Sequence, residues 1–63
     1  MTFDDAVELV KQWPKDRSVP RKLKAGIDGA KGFDKVLMGN LVEALTVAST
    51  SKADFELIET YFD

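Results

Sequence analysis

The 63-residue sequence contains no cysteine and no histidine. The lack of cysteine excludes disulfide bonds, and the lack of both residues excludes the usual ligand sets of structural zinc. Histidine is also the side chain that enzymes use most often for proton transfer, so its absence argues against acid–base catalysis. A chain this short, without a disulfide or a zinc site, must be stabilised by packing or by a partner subunit.

Long apolar runs are missing as well. Uninterrupted aliphatic stretches such as Val36–Met38 are far shorter than the about 20 residues that span a bilayer. The N-terminal segment carries Asp4 and Asp5 where a signal peptide would carry cations. With 44% hydrophobic and 32% charged residues, the composition is typical of a folded domain. The sequence therefore favours one small domain over residues 1–63, located in the cytoplasm.

The charges that are present are sorted along the chain. Eight of the nine cationic side chains fall between Lys11 and Lys35, both ends are acidic, and the net charge is −2. Only Lys52 interrupts the acidic C-terminal part. Because basic and acidic surfaces attract each other, this sorting restricts the partners and the self-association of the chain. It indicates no particular activity.

Hydrophobic periodicity predicts an all-α fold, a compact bundle of three to four short helices without strands. The expected helices span about residues 3–13, 19–30, 33–48 and 52–62. Thr2 and Ser51 are each followed three residues later by an aspartate, an acidic variant of the capping box. Pro14 is expected to end the first helix, and Ser18 is the expected N-cap of the second, with Pro20 in its first turn.

The third predicted helix is the most apolar. Apolar side chains cover well over half of its circumference, which predicts that several neighbours enclose it. Asn40 lies inside the apolar arc, where an unpaired amide would be costly, so we expect it to bond to a backbone group or to face a partner. The buried face of the fourth helix is predicted to consist of Phe55, Leu57, Ile58, Tyr61 and Phe62.

Neither a catalytic site nor a metal site is indicated. Most carboxylates lie at helix starts, in turns or on predicted solvent faces, and the serines occupy capping positions without a neighbouring base. Asp4, Asp5 and Glu8 have the oxygen ligands that hard cations prefer. Acids in the first turn of a helix are, however, expected from the helix dipole alone. We therefore expect no enzymatic activity, no cofactor and no bound metal.

Nucleic-acid binding by the basic second helix is the alternative hypothesis. The Gly29-Ala-Lys-Gly32 turn resembles the phosphate-binding GxxG loop of KH domains, and the stretch from Ile27 to Gly32 resembles the turn of helix-hairpin-helix motifs. Both resemblances imply that backbone N–H groups would hold a phosphate. The basic segment between Lys15 and Lys24 contains no aromatic residue on which a base could stack. A glycine-rich connector between two helices explains the same turn.

The favoured hypothesis is a non-enzymatic protein that binds another protein, as a regulator or inhibitor of a larger partner. An exposed part of Trp13, Tyr61 or Phe62 is expected to anchor the contact. A homo-oligomer in which basic and acidic faces meet is a further option, and no membrane contact is expected. The predicted partner-binding residues are the charged side chains in and around the second and fourth helices: Arg17, Arg21, Lys22, Lys24, Glu56, Glu59 and Asp63.

Overall fold

The computed structural model describes all 63 residues, and it contains four α-helices and no strand. The prediction of a small all-α bundle is thereby confirmed. None of the helices is both long enough and apolar enough to cross a membrane. The helices are α1 (Phe3–Val10), α2 (Val19–Gly29), α3 (Gly32–Ala48) and α4 (Lys52–Phe62).

The longest helix, α3, is the centre of the bundle. It packs against α1, α2 and α4, and α2 also contacts α1 and α4. Met38 and Leu45 of α3 are fully buried and lie seven residues apart, on one side of the helix. Around them forms a single apolar core, whose buried members are Ala6, Trp13, Val19, Leu23, Met38, Leu45 and Ile58.

The prediction that α3 is enclosed on most sides is wrong for one face. Phe33, Val36 and Val47 are exposed although all three belong to the predicted apolar arc. The three neighbouring helices bury the side of α3 that carries Met38 and Leu45, and the opposite side has no neighbour. Part of the apolar surface of α3 therefore plays no role in the core.

The first helix is shorter than expected and ends at Val10 rather than at Trp13. The backbone N–H groups of Gln12 and Trp13 donate to carbonyls three residues back, at 3.1 Å in each case. Hydrogen bonds at this spacing belong to tighter turns than the α-helix. The chain thus leaves α-helical geometry before it reaches Pro14, and turns connect it to α2.

The three predicted N-cap residues all precede their helices, and two of them make side-chain capping hydrogen bonds. At α1, the Asp5 N–H donates to the Thr2 hydroxyl (3.2 Å) and the Thr2 N–H donates to the Asp5 carboxylate (3.1 Å). Ser51 and Asp54 make the equivalent reciprocal pair at α4. Ser18 is the N-cap residue of α2 as predicted, but its hydroxyl donates to Asp16 (2.6 Å) and makes no capping hydrogen bond to the helix.

The glycine-rich turn is a short connector between α2 and α3. Gly29 is the last residue of α2, Ala30 and Lys31 are extended, and Gly32 opens α3. Gly32 has φ +62°, a backbone region that glycine enters far more easily than other residues. Because the chain has no strand, the sheet that accompanies the GxxG loop in KH domains is missing.

Candidate interaction surface

One of the predicted binding residues, Arg17, lies in an intramolecular polar network. Its guanidinium donates to the Asp54 carboxylate (2.5 Å) and to the carbonyl of Pro14 (3.3 Å). The guanidinium carbon also lies 4.8 Å from the centre of the Trp13 ring, within the range of a cation–π contact. Arg17 therefore ties the turn before α2 to the start of α4, and its charge is used inside the molecule.

The acidic partner in this network is buried and fully engaged. The Asp54 side chain accepts the backbone N–H of Thr50 (2.8 Å), the hydroxyl of Thr50 (3.2 Å) and the backbone N–H of Ser51 (3.2 Å). These donors, the Thr50 N–H first and the Arg17 guanidinium second, hold the pKa of Asp54 well below its usual range. Asp54 is thus an ionised carboxylate at neutral pH, at the start of α4.

Trp13 belongs to the same buried region. Its indole N–H donates both to the carbonyl of Leu45 and to the hydroxyl of Ser49, each at 3.1 Å. The side chain is only 4% exposed, so the expectation of an exposed anchor at Trp13 is wrong. The two other expected anchors, Tyr61 and Phe62, are half-buried.

The remaining predicted binding residues differ in their availability. Lys24 pairs with Asp28 on α2 (3.1 Å), and Glu56 lies 3.8 Å from Lys52 on α4. Four others are exposed and belong to none of the ion pairs of the structure: Arg21, Lys22, Glu59 and Asp63. Because α2 and α4 contact each other, the free basic and acidic groups lie on neighbouring helices.

The most unusual surface of the molecule is on α3. Phe33 is 73% exposed, Val36 58% and Val47 86%, and Asn40 is exposed on the same side. At 3.6 residues per turn, these four positions fall within an arc of about 60°, opposite the buried Met38. We call Phe33, Val36, Asn40 and Val47 the outer α3 face.

One edge of the outer α3 face carries an unpaired charge of each sign. Lys35, Gly39 and Glu43 follow one another at intervals of four residues and therefore lie along the same side of the helix. Neither Lys35 nor Glu43 belongs to any of the ion pairs within the chain. A Cβ atom added to Gly39 would meet nothing within 4 Å. We call these three residues the glycine edge.

Sequence reasoning overlooked the outer α3 face because it assigned the whole apolar arc to the core. One available signal was the excess of apolar residues on α3 over what a small bundle can cover. The other was Asn40, for which contact with a partner was one of the two expectations. Phe55 behaves similarly, since it was expected to be buried and is 42% exposed.

No pocket opens on the surface, and no group of three acidic side chains converges. The candidate site is thus an exposed helix face. A comparison with protein-family models, curated protein sequences and solved structures finds no match for this chain.

Proposed function

We propose that this protein acts by binding another protein through the outer α3 face, as a regulator or inhibitor and not as an enzyme. The observation that carries the proposal is the exposure of Phe33, Val36 and Val47 in one row, at 73%, 58% and 86%. Burying a large apolar side chain is worth roughly 1.5–3 kcal/mol. Contact with a partner over this row would recover free energy that the fold leaves unused.

The spacing of the row supports a helix-mediated contact. Phe33, Val36, Asn40 and Val47 stand at i, i+3, i+7 and i+14, the periodicity with which an amphipathic helix presents its anchors. Exposed apolar groups that cluster on one surface typically mark interaction sites, whereas isolated ones need no explanation. The proposal therefore moves the main contact from the predicted charged residues to α3.

The free charged residues on the neighbouring helices have a secondary role in this proposal. Arg21 and Lys22 on α2, and Glu59 on α4, are exposed and unpaired within the chain. These charges lie outside the proposed contact, where they steer the approach of a partner more than they change the affinity. We place this interaction in the cytoplasm.

Site-specific photocrosslinking, in the cells in which the protein is naturally expressed, tests the proposal. A photoreactive amino acid replaces Val47 on the outer α3 face in one variant and Lys22 on α2 in a matched control. We expect protein crosslinks from position 47 and few from position 22, identified by mass spectrometry after nuclease treatment. Nuclease-sensitive crosslinks from position 22 alone would favour the nucleic-acid alternative. The absence of crosslinks at both positions would contradict an interaction function.

A further inference from the structure

We infer that the outer α3 face binds the same face of a second copy of this chain, with the two α3 helices antiparallel and Asn40 at the twofold axis. This inference rests on the proposed function, because it uses the same surface and assigns a second copy of the chain to it. Three features of α3 support it: the spacing of its exposed residues, the charges along the glycine edge, and the position of Gly39.

Two of the three exposed apolar residues, Phe33 and Val47, are spaced symmetrically about Asn40. Phe33 precedes Asn40 by seven residues and Val47 follows it by seven. An antiparallel pair centred on Asn40 matches each residue with the one equally distant on the other side. Phe33 of each copy then faces Val47 of the other, and the two Asn40 amides face each other.

The central amides suit this arrangement. A carboxamide carries both donors and an acceptor, so two Asn40 side chains can bond to each other across the axis. A single asparagine within an otherwise apolar helix–helix contact also selects one register and orientation, at some cost in affinity. The exposed polar residue in the middle of the outer α3 face thus has a role that the isolated chain does not provide.

Charge complementarity selects the antiparallel orientation. In that orientation, Lys35 of one copy and Glu43 of the other are offset along the helix axis by two residues, or about 3 Å. The two Glu43 residues are offset along the same axis by six residues, or about 9 Å. In a parallel pair that buries the same face, the two glycine edges would lie on opposite flanks, so that Lys35 and Glu43 of one copy would not meet those of the other. Both charges are unpaired within the chain and therefore available for the contact.

Gly39 is the third feature. A glycine inside a helix costs about 1 kcal/mol relative to alanine. Nothing in the isolated fold requires it, because Gly39 does not have a positive φ and a Cβ atom there would meet no neighbour within 4 Å. Between Lys35 and Glu43, the missing side chain lets a second helix backbone approach closely.

The expected dimer is weak and reversible. Phe33 is the largest group at the contact, and a phenylalanine buries about 150–250 Å². One helix face with three large apolar groups remains below the about 800 Å² per partner of a standard interface. Self-association is therefore expected at high micromolar concentration, where another protein that binds the outer α3 face would compete with the second copy.

Sedimentation equilibrium of the purified full chain, from about 10 μM to about 1 mM, tests the inference. We expect the average mass of the wild type to rise from one chain towards two. Val47→Glu, which places a charge in the apolar row, should weaken association at least about tenfold. Ala25→Glu, which introduces the same charge at an exposed position of α2, is the matched control and should associate like the wild type.

A charge-swap series tests the orientation. Lys35→Glu and Glu43→Lys each replace attraction between the copies with repulsion and should weaken association several-fold. The double variant Lys35→Glu/Glu43→Lys re-forms both pairs with reversed signs and should recover most of the lost affinity. Far-UV circular dichroism of each variant shows that the helices are intact. Failure of the double variant to recover affinity would overturn the antiparallel arrangement.

The two proposals fail in different ways. A wild type that stays monomeric at 1 mM, together with crosslinks from position 47 to a different protein, would overturn self-association and leave the proposed function standing. A monomer without any crosslink from position 47 would contradict both. Crosslinks from position 47 to a second copy of the chain, together with weaker association of Val47→Glu in sedimentation, would support both proposals.

Discussion

At the scale of single residues, Arg17 shows how a charged side chain can be misassigned from sequence. Its place in a basic segment predicts a role in partner binding. In the fold it pairs with Asp54 and lies over the Trp13 ring. The pairing joins residues 37 positions apart in the sequence, and local sequence patterns do not predict contacts between residues so far apart.

Replacement of Arg17 should destabilise the fold more than replacement of Arg21. Arg17→Ala leaves the buried Asp54 carboxylate without its cation and removes the contact with Trp13. Arg17→Lys keeps the charge but loses the planar group that stacks on the indole, so an intermediate loss is expected. Thermal unfolding measures the order. Arg21→Ala, at an exposed and unpaired position, should change stability by less than about 0.5 kcal/mol.

Two glycines should respond to alanine in opposite directions. Gly39→Ala should raise the free energy of unfolding by about 1 kcal/mol, since the site is open and helical. Gly32→Ala should lower it by about 1–2 kcal/mol, because φ is +62° at that position. Urea unfolding at low protein concentration, where the chain is monomeric, measures both. A loss of stability in Gly39→Ala would show that the isolated fold requires the glycine.

At the scale of the elements, the helix starts were predictable where a motif is local. The capping boxes of α1 and α4 each involve two residues three positions apart, and both form as expected. Ser18 stands at the predicted N-cap of α2 but does not cap it with its side chain, because Asp16, two residues earlier, accepts both its N–H and its hydroxyl. The end of α1 was overestimated because the turns before Pro14 keep an apolar pattern.

Three aspartates that accept hydrogen bonds near the helix starts should make the stability of the fold depend on pH. Hydrogen bonds from Thr2 lower the pKa of Asp5, those from Ser18 lower the pKa of Asp16, and the pKa of Asp54 is lower still. A depressed pKa in the folded state contributes stability above the unfolded value of about 3.9, and this stability is lost as the pH falls below it.

We therefore expect the melting temperature to be nearly constant from pH 7 to about pH 5 and to fall steeply below about pH 4. Asp54→Asn should be less stable than the wild type at neutral pH, and its melting temperature should decline less on acidification. Calorimetry across this range measures both curves. Equal acid sensitivity of the two proteins would show that Asp54 is not the main titrating group.

The two faces of α3 should differ sharply in their effect on folding. Leu45→Ala removes a fully buried side chain and should cost about 2–5 kcal/mol. Val47→Ser, two residues further on, should change the free energy of unfolding by less than about 0.5 kcal/mol, because Val47 is 86% exposed. Chemical unfolding of the monomer gives both values. A large loss in Val47→Ser would show that the outer α3 face contributes to the core.

At the scale of the whole molecule, the fold class was predictable and the interaction surface was not. Periodicity revealed four helices because each of them buries apolar residues on one side. It could not reveal that α1, α2 and α4 all cover the same side of α3, since that depends on contacts between distant segments. The outer α3 face therefore emerges only from the arrangement of all four helices.

The network around Trp13 and Arg17 has a consequence for how the chain can be divided. Their hydrogen bonds to Leu45, Ser49 and Asp54 join positions 32, 36 and 37 residues apart in a chain of 63. Neither the first nor the second half of the chain can complete these bonds alone, and each half would leave polar groups without partners. We therefore expect the chain to fold and to unfold as one cooperative unit.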